Sequence, residues 1–167
     1  MTKTSDNLKA AFAGESQANR KYLAFAKKAD AEGFPQIAKL FRAAAESETI
    51  HAHAHLRVLD GVKSTAENLA AAVNGETFEF TDMYPQFIED AKAEDNKAAL
   101  ISFNYANKVE QVHAELYKKA VESIGNKQDL PKTDISVCPV CGDTFVGEVP
   151  ARCPICGVAK AQFLKMA

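Results

Sequence analysis

Two patterns in this chain have the residue types and spacing of metal ligands. Glu48 and His51 stand three residues apart in "SETIHAHAHLR", and Glu110 and His113 repeat that spacing in "NKVEQVHAELY". On a helix this spacing puts both side chains on one face, where a carboxylate and an imidazole can reach the same metal. The other pattern is "CPVCG" with Cys138 and Cys141, followed by "CPICG" with Cys153 and Cys156. These are all the cysteines of the chain, whereas a disulfide framework would spread them along it. In each knuckle, amides after the first cysteine can donate to its thiolate, and the glycine permits a tight turn. Two such knuckles converge on one tetrahedral four-sulfur site. Thiolates in that geometry hold zinc or iron alike, and taken alone the module reads as a structural zinc ribbon.

The elements that must position these residues are helical up to about residue 123. Apolar positions recur every three or four residues among Ala, Lys, Glu, Leu and Gln. Four segments are predicted: about Ser5 to Asp30, Pro35 to Leu59, Ser64 to Glu94 and Asp95 to Ser123. Ser64 and Glu67 form a plausible capping box at the third start. Four long amphipathic helices with short connections imply an antiparallel bundle. The polar "GNKQDLPKTDIS" reads as a linker. The cysteine-bearing remainder is too short to fold without a staple such as a metal. The expected organisation is a bundle over 1–124, a linker over 125–136 and a metal-knuckle domain over 137–167.

Helical stepping places Glu48 and His51 on a stripe with Ile37, Phe41, Ala44, His55 and Val58. It places Glu110 and His113 with Ala99, Phe103, Ala106, Tyr117 and Ala120. Glu15 falls on the first helix's stripe with Leu8, Phe12, Asn19, Tyr22 and Ala26. One inward glutamate is explained by a hydrogen bond. A set of them is not, because clustered carboxylates repel unless cations hold them together. The interval from Glu15 to Glu48 resembles that from Glu79 to Glu110, so the bundle reads as a duplicated helix pair. Superposing "ETIHAHAHLR" on "EQVHAELYKK" matches His51 to His113, His53 to Glu115 and His55 to Tyr117. His51 is therefore the expected ligand, His53 is solvated, and His55 lies one turn further on. The third segment is the difficult one. In "GETFEFTDMYPQF", Glu76, Glu79 and Asp82 share threefold spacing, Pro85 interrupts, and the apolar stripe is offset by one position. Spacing alone leaves Glu76–Glu79 and Glu79–Asp82 both open.

Composition narrows the classes. The chain has 167 residues, a net charge of −2, 47% hydrophobic and 25% charged residues, as in an ordinary globular protein. No basic field argues for nucleic acid, and no apolar run reaches the roughly 18–20 residues of a membrane span. The stretch "MTKTSDNLKAAFAGES" has no apolar signal-peptide region, so a cytoplasmic location is expected.

A duplicated Glu…ExxH pattern followed by CPxCG…CPxCG resembles the rubrerythrins. "AFAGESQANRKY", "ETIHAHAHLR", "GETFEFTDMYP", "NKVEQVHAELY" and the cysteine pairs carry the similarity over nearly the whole chain. The resemblance implies a mainly α fold, a ferritin-like four-helix bundle followed by a small rubredoxin-like domain. It implies a peroxidase that reduces hydrogen peroxide to water at a di-iron centre. Electrons would enter through an iron bound by four cysteines, for which zinc can substitute. The donor would be rubredoxin or a flavoprotein reductase drawing on NAD(P)H, and the protein a homodimer or larger, without nucleic-acid or membrane partners. Carried over, Glu15, Glu48, Glu79, Glu110 and His113 match ligands, with Glu48 and Glu110 bridging. His51 matches the histidine that binds one iron in the reduced state. Asp82 takes the place of a glutamate that replaces this histidine on oxidation, which is a departure from the pattern. Tyr22 and Tyr84 lie in matched motifs and would orient carboxylates or donate hydrogen bonds. A ferroxidase or oxygen reductase is the alternative reading, and a non-enzymatic bundle beside a zinc ribbon is a further one.

Overall fold

A computed structural model describes residues 2–166. Its helices are α1 (Lys3–Ala31), α2 (Pro35–Val58), α3 (Thr65–Phe78), a π-helical turn (Glu79–Met83), α4 (Tyr84–Ala93) and α5 (Lys97–Gly125). The strands β1 (Ile135–Val137), β2 (Thr144–Val146) and β3 (Leu164–Lys165) follow, with a 3-10 turn (Lys160–Gln162) before the last. The chain forms two compact units that divide between Lys63 and Ser64. The first is the α1/α2 hairpin; the second holds the remaining helices and the sheet.

In the first unit the turn "EGFP" reverses the chain. Gly33 takes φ 81°, and Pro35 opens α2, where its missing N–H costs nothing. The seam is built from small residues, with Ala26, Ala29, Ala38, Ala45 and Ala52 all buried. Asn19 ties the helices together, donating to the Ala45 carbonyl at 2.7 Å and to Thr49 Oγ1 at 2.8 Å. The buried line on α2 lies one position beside the stripe read from the sequence. Ile37 and Val58 stay exposed, because alanines are the side chains that let two helix backbones approach closely.

In the second unit, α3 begins with the capping box expected from the sequence: the Ser64 hydroxyl accepts from the Glu67 amide, and Glu67 returns a bond to the Ser64 amide. The third segment is continuous but not uniformly α-helical. Its centre opens into the π-helical turn Glu79–Met83, and α4 restarts at Tyr84. Pro85 thereby falls in a first turn, where no intrahelical donor is required of it. Ile88, Ala91, Val109, Ala114 and Ala120 are the buried apolar positions of these helices. The Asn96 side chain caps α5 by accepting from the Ala99 amide at 3.1 Å.

The cysteine domain is a three-stranded antiparallel sheet in the order β2-β1-β3, with Val137 opposite both Thr144 and Leu164. Its buried apolar residues are Cys138 and Cys153 themselves, so the metal site stands where a core would be.

Removing the Ser64 hydroxyl tests whether the cap fixes the start of α3. Ser64→Ala is expected to cost about 1 kcal/mol, read as a lower urea midpoint with an unchanged slope.

Candidate metal centres

Each helical unit gathers two carboxylates and a histidine. Glu15, Glu48 and His51 form one group, and Glu76, Glu110 and His113 the other. Within each, one ligand atom per residue lies within 4.8 Å of the others. In the first group His51 Nδ1 is 3.0 Å from Glu48 Oε2. Glu15 and Glu48 share a hydrogen bond, which pushes the Glu15 carboxyl up and the Glu48 carboxyl down; His51 adds to the latter. In the second group His113 Nδ1 is 2.8 Å from Glu110 Oε2 and 3.8 Å from Glu76 Oε2. Burial pushes the Glu76 carboxyl up, and its shared hydrogen bond with Glu110 and that neighbour's charge push the same way. These are the marks of like charges drawn together, and a divalent cation between them relieves both.

The histidines differ in setting. The His51 side chain is 56% exposed, whereas that of His113 is 28% exposed and has an additional contact from Nε2 to Thr144 Oγ1 at 3.1 Å. His53 is exposed, and neither it nor His55 belongs to a ligand group.

The third segment is where the expected residues and the assembled ones part. Glu76, not Glu79, joins Glu110 and His113. Glu79 opens the π-helical turn close by: its carboxyl is pushed up by burial and by the charge of Glu76, and pulled down by His113. Asp82 is exposed and accepts a short hydrogen bond from the Thr81 hydroxyl. The π turn explains the shift. Tyr22, Phe25 and Phe41 form an aromatic triad with centroids 6.3, 6.2 and 5.6 Å apart. Tyr84, Phe87 and Phe103 repeat it at 6.2, 6.3 and 5.6 Å. Tyr22 follows Glu15 by two helical turns, whereas Tyr84 follows Glu76 by one residue more. A π-helical turn absorbs one such extra residue. This register makes Glu76 the counterpart of Glu15, and it accounts for the one-position offset of the apolar stripe. Tyr22 stands in its triad outside the ligand group. Burial, then Glu110, Glu79 and Glu76, hold the Tyr84 phenol above its ordinary value.

The four cysteines are free thiols gathered in one cluster. Cys138 Sγ lies 3.4 Å from Cys156 Sγ, and Cys141 Sγ lies 3.5 Å from Cys153 Sγ. Such spacings approach the edges of a tetrahedron with metal–sulfur bonds of about 2.3 Å. Each knuckle closes on its glycine. The Gly142 amide donates to the Cys138 carbonyl at 3.0 Å, and the Gly157 amide to the Cys153 carbonyl at 2.9 Å. Burial works against the Cys138 thiolate, but the Cys141 and Val140 amides and neighbouring thiols outweigh it and bring Cys138 to about 7. Burial pushes the Cys141 and Cys153 thiols up. Asp143, only 2% exposed, accepts from the Cys153 thiol at 3.5 Å. Neither Asp143 nor Thr144 carried a signal in the sequence, since one polar residue after a knuckle looks like any loop residue.

The profile of the rubrerythrin family matches residues 6–121, and that of the rubrerythrin rubredoxin-like domain matches residues 137–164. The chain belongs to the rubrerythrin family. It is 37% identical to rubrerythrin-2 of Clostridium acetobutylicum, covering 96% of this chain and 95% of that protein. It is 40% identical to nigerythrin of Nitratidesulfovibrio vulgaris, covering 96% and 85%. Solved structures of nigerythrin in the fully reduced, all-ferrous state and in a partially reduced state each match with a TM-score of 0.59 and 38% identity. Each match covers 99% of this chain and 88% of that one. The fold class is that of this family: mainly α, a ferritin-like helical part followed by a small rubredoxin-like domain. A di-iron centre and an iron at four cysteines are the cofactors that membership implies, and the donor groups fit both. A rubrerythrin-family chain is an oxidoreductase in kind. Among the described residues no helix is long and apolar enough to cross a membrane.

The raised carboxyls give a pH dependence to the metal-free protein. Glu76 and Glu79 are both held above the ordinary 4.5. The folded state then binds more protons than the unfolded state between 4.5 and the folded values, so stability falls as pH rises through that window. Urea titrations of the metal-free chain at stepped pH are expected to show this decline, to show it more weakly in Glu76→Gln, and to lose it when metal is bound. Stability that rises across the window contradicts the assignment.

Proposed function

We propose that this rubrerythrin-family chain is a hydrogen peroxide reductase. The observation that supports it is the presence in one chain of two carboxylate–histidine groups and a four-thiolate knuckle. Peroxide cleavage to two waters consumes two electrons and two protons. Iron held by Glu15, Glu48, His51, Glu76, Glu110 and His113 would supply electrons in pairs, and iron held by the four cysteines would return them singly. A ferroxidase has no need of a resident one-electron centre, which makes that alternative the weaker reading.

The chain's own residues do the rest. Glu15, Glu48, Glu76 and Glu110 are the anionic ligands, and His51 and His113 the neutral ones. The carboxylates offset metal charge and hold both oxidation states at low cost in rearrangement. Glu79 stands one turn beyond Glu76 at the start of the π-helical turn, within the field of His113. It would take the role of exchanging ligand in place of Asp82. The Tyr84 phenol, held in its protonated form by burial and by the surrounding carboxylates, is a hydrogen-bond donor to oxygen at the site. Tyr22 keeps the matching place on the first hairpin.

The working domains are 1–124 and 137–167 with the linker 125–136 between them. The protein works in the cytoplasm. Exposed apolar side chains such as Leu40 (69%) and Val58 (70%) suit a homodimer or larger assembly. Rubredoxin or an NAD(P)H-linked flavoprotein reductase is the donor to the cysteine centre.

Stopped-flow mixing of the iron-loaded, anaerobically reduced protein tests the reading. The visible absorption of ferric tetrathiolate is expected to return much faster with hydrogen peroxide than with dioxygen. Equal or faster return with dioxygen replaces the peroxidase reading with an oxygen reductase or ferroxidase. Asp82→Asn is expected to leave the peroxide rate within about twofold, whereas Glu79→Gln is expected to lower it by the factor of about 10–100 usual for lost metal-site partners.

A further inference from the structure

The Thr144 hydroxyl stands between the two metal-binding parts of the second unit. Thr144 Oγ1 donates its single proton to the Gly142 carbonyl at 3.3 Å. It then has only lone pairs to offer His113 Nε2, which lies 3.1 Å away. His113 Nε2–H is then the donor in that bond. Nδ1 faces Glu110 Oε2 at 2.8 Å and Glu76 Oε2 at 3.8 Å, so in the metal-free protein a proton lies between ring and carboxylate, in the place a cation would take. An imidazole nitrogen turned toward two carboxylates, with the second ring nitrogen anchored behind it, is the arrangement of a metal ligand once a cation takes the place of that proton.

The anchor is itself fixed by the cysteine knuckle. Thr144 begins β2, opposite Val137 of β1. The residue before it accepts the Cys138 amide at 2.8 Å through its carbonyl, and the Gly142 amide donates to the Cys138 carbonyl at 3.0 Å. Gly142 takes φ 89°, which a side-chain-bearing residue would adopt only under strain. The turn that shapes the thiolate site thus also sets the height of the Thr144 hydroxyl. His51 has no corresponding anchor among the described residues: its Nδ1 meets Glu48 and its side chain is largely exposed.

We infer that Thr144 is a positioning residue for the carboxylate–histidine centre: its hydroxyl fixes His113 as the Nε2–H tautomer and turns Nδ1 to the metal. The inference rests on His113 being a metal ligand, as the proposed function has it, and not on which oxidant is reduced. It makes ligand geometry at the helical centre depend on the folded state of the cysteine knuckle.

The test uses the full chain loaded with zinc, a diamagnetic probe, at the helical and the cysteine sites. Histidine 15N–1H correlation spectra are recorded for the native chain, Thr144→Val and Thr144→Ser, with metal affinity measured by chelator competition. In the native chain His113 is expected to show a metal-shifted Nδ1 and a slowly exchanging Nε2–H. Thr144→Val is expected to lose the protected Nε2–H and to weaken metal binding at His113 by about 10–100-fold. Thr144→Ser is expected to restore both, with zinc at the cysteines unchanged in each variant. The inference is overturned if Thr144→Val keeps the protected proton and the affinity, or if Thr144→Ser behaves like Thr144→Val. Native His113 bound through Nε2 overturns it while leaving the peroxidase reading to its own test. A native chain whose histidines show no metal shift overturns the inference and the di-iron reading together.

Discussion

Carboxylates set close together beside imidazoles, on helix faces that also carry the packing, are the constraint around which this protein is built. The hydrogen bond shared with Glu48 pushes Glu15 toward its protonated form, and burial followed by the bond shared with Glu110 does the same to Glu76. Leaving such pairs ionised without a counter-charge works against folding, and protonating them removes the ligands. A bound divalent cation resolves both at once. The alanine seam of the first hairpin brings its helices close enough for Glu15 to meet Glu48. The cap at Ser64 and the close of α5 against α3 serve the second pair in the same way.

The duplication was legible in the sequence because it is written in residue types that have few other uses. Two Glu-x-x-His pairs gave away the ligand faces of α2 and α5, and paired CPxCG motifs gave away the thiolate cluster. What could not be read was register in the third segment. Helical periodicity assumes a constant turn, and the π-helical turn at Glu79–Met83 breaks that assumption by one residue. Glu76, Glu79 and Asp82 were equivalent by spacing. The repeated aromatic triads, which need three dimensions to be seen, separate them. The inward stripe of α2 was also displaced by one position, since a hairpin seam selects small residues over large apolar ones. Ser64 and Glu67, by contrast, act through bonds only three residues apart, and such local geometry is visible in one dimension.

The cysteine domain follows a different logic. Its buried apolar residues are two of the ligands, Cys138 and Cys153, so it has little to hold it together apart from a short sheet and a metal. Opposed forces on its thiols, with burial raising Cys141 and Cys153 and amide donors bringing Cys138 to about 7, describe a cluster that ionises properly only around a cation. The bond from Thr144 to His113 ties this domain to α5 through a side chain that no motif marks. Metal binding in the second unit therefore has one structural source in its helices and another in the knuckle.

The central claim is that the carboxylate–histidine groups and the cysteines hold iron of two different kinds. Mössbauer spectroscopy of the full chain, produced anaerobically with 57Fe and then oxidised, measures this directly. The account predicts two subspectra, a spin-coupled ferric pair in oxygen and nitrogen coordination and a single high-spin ferric tetrathiolate. A spectrum with no coupled pair, in protein that retains metal at its cysteines, would contradict it.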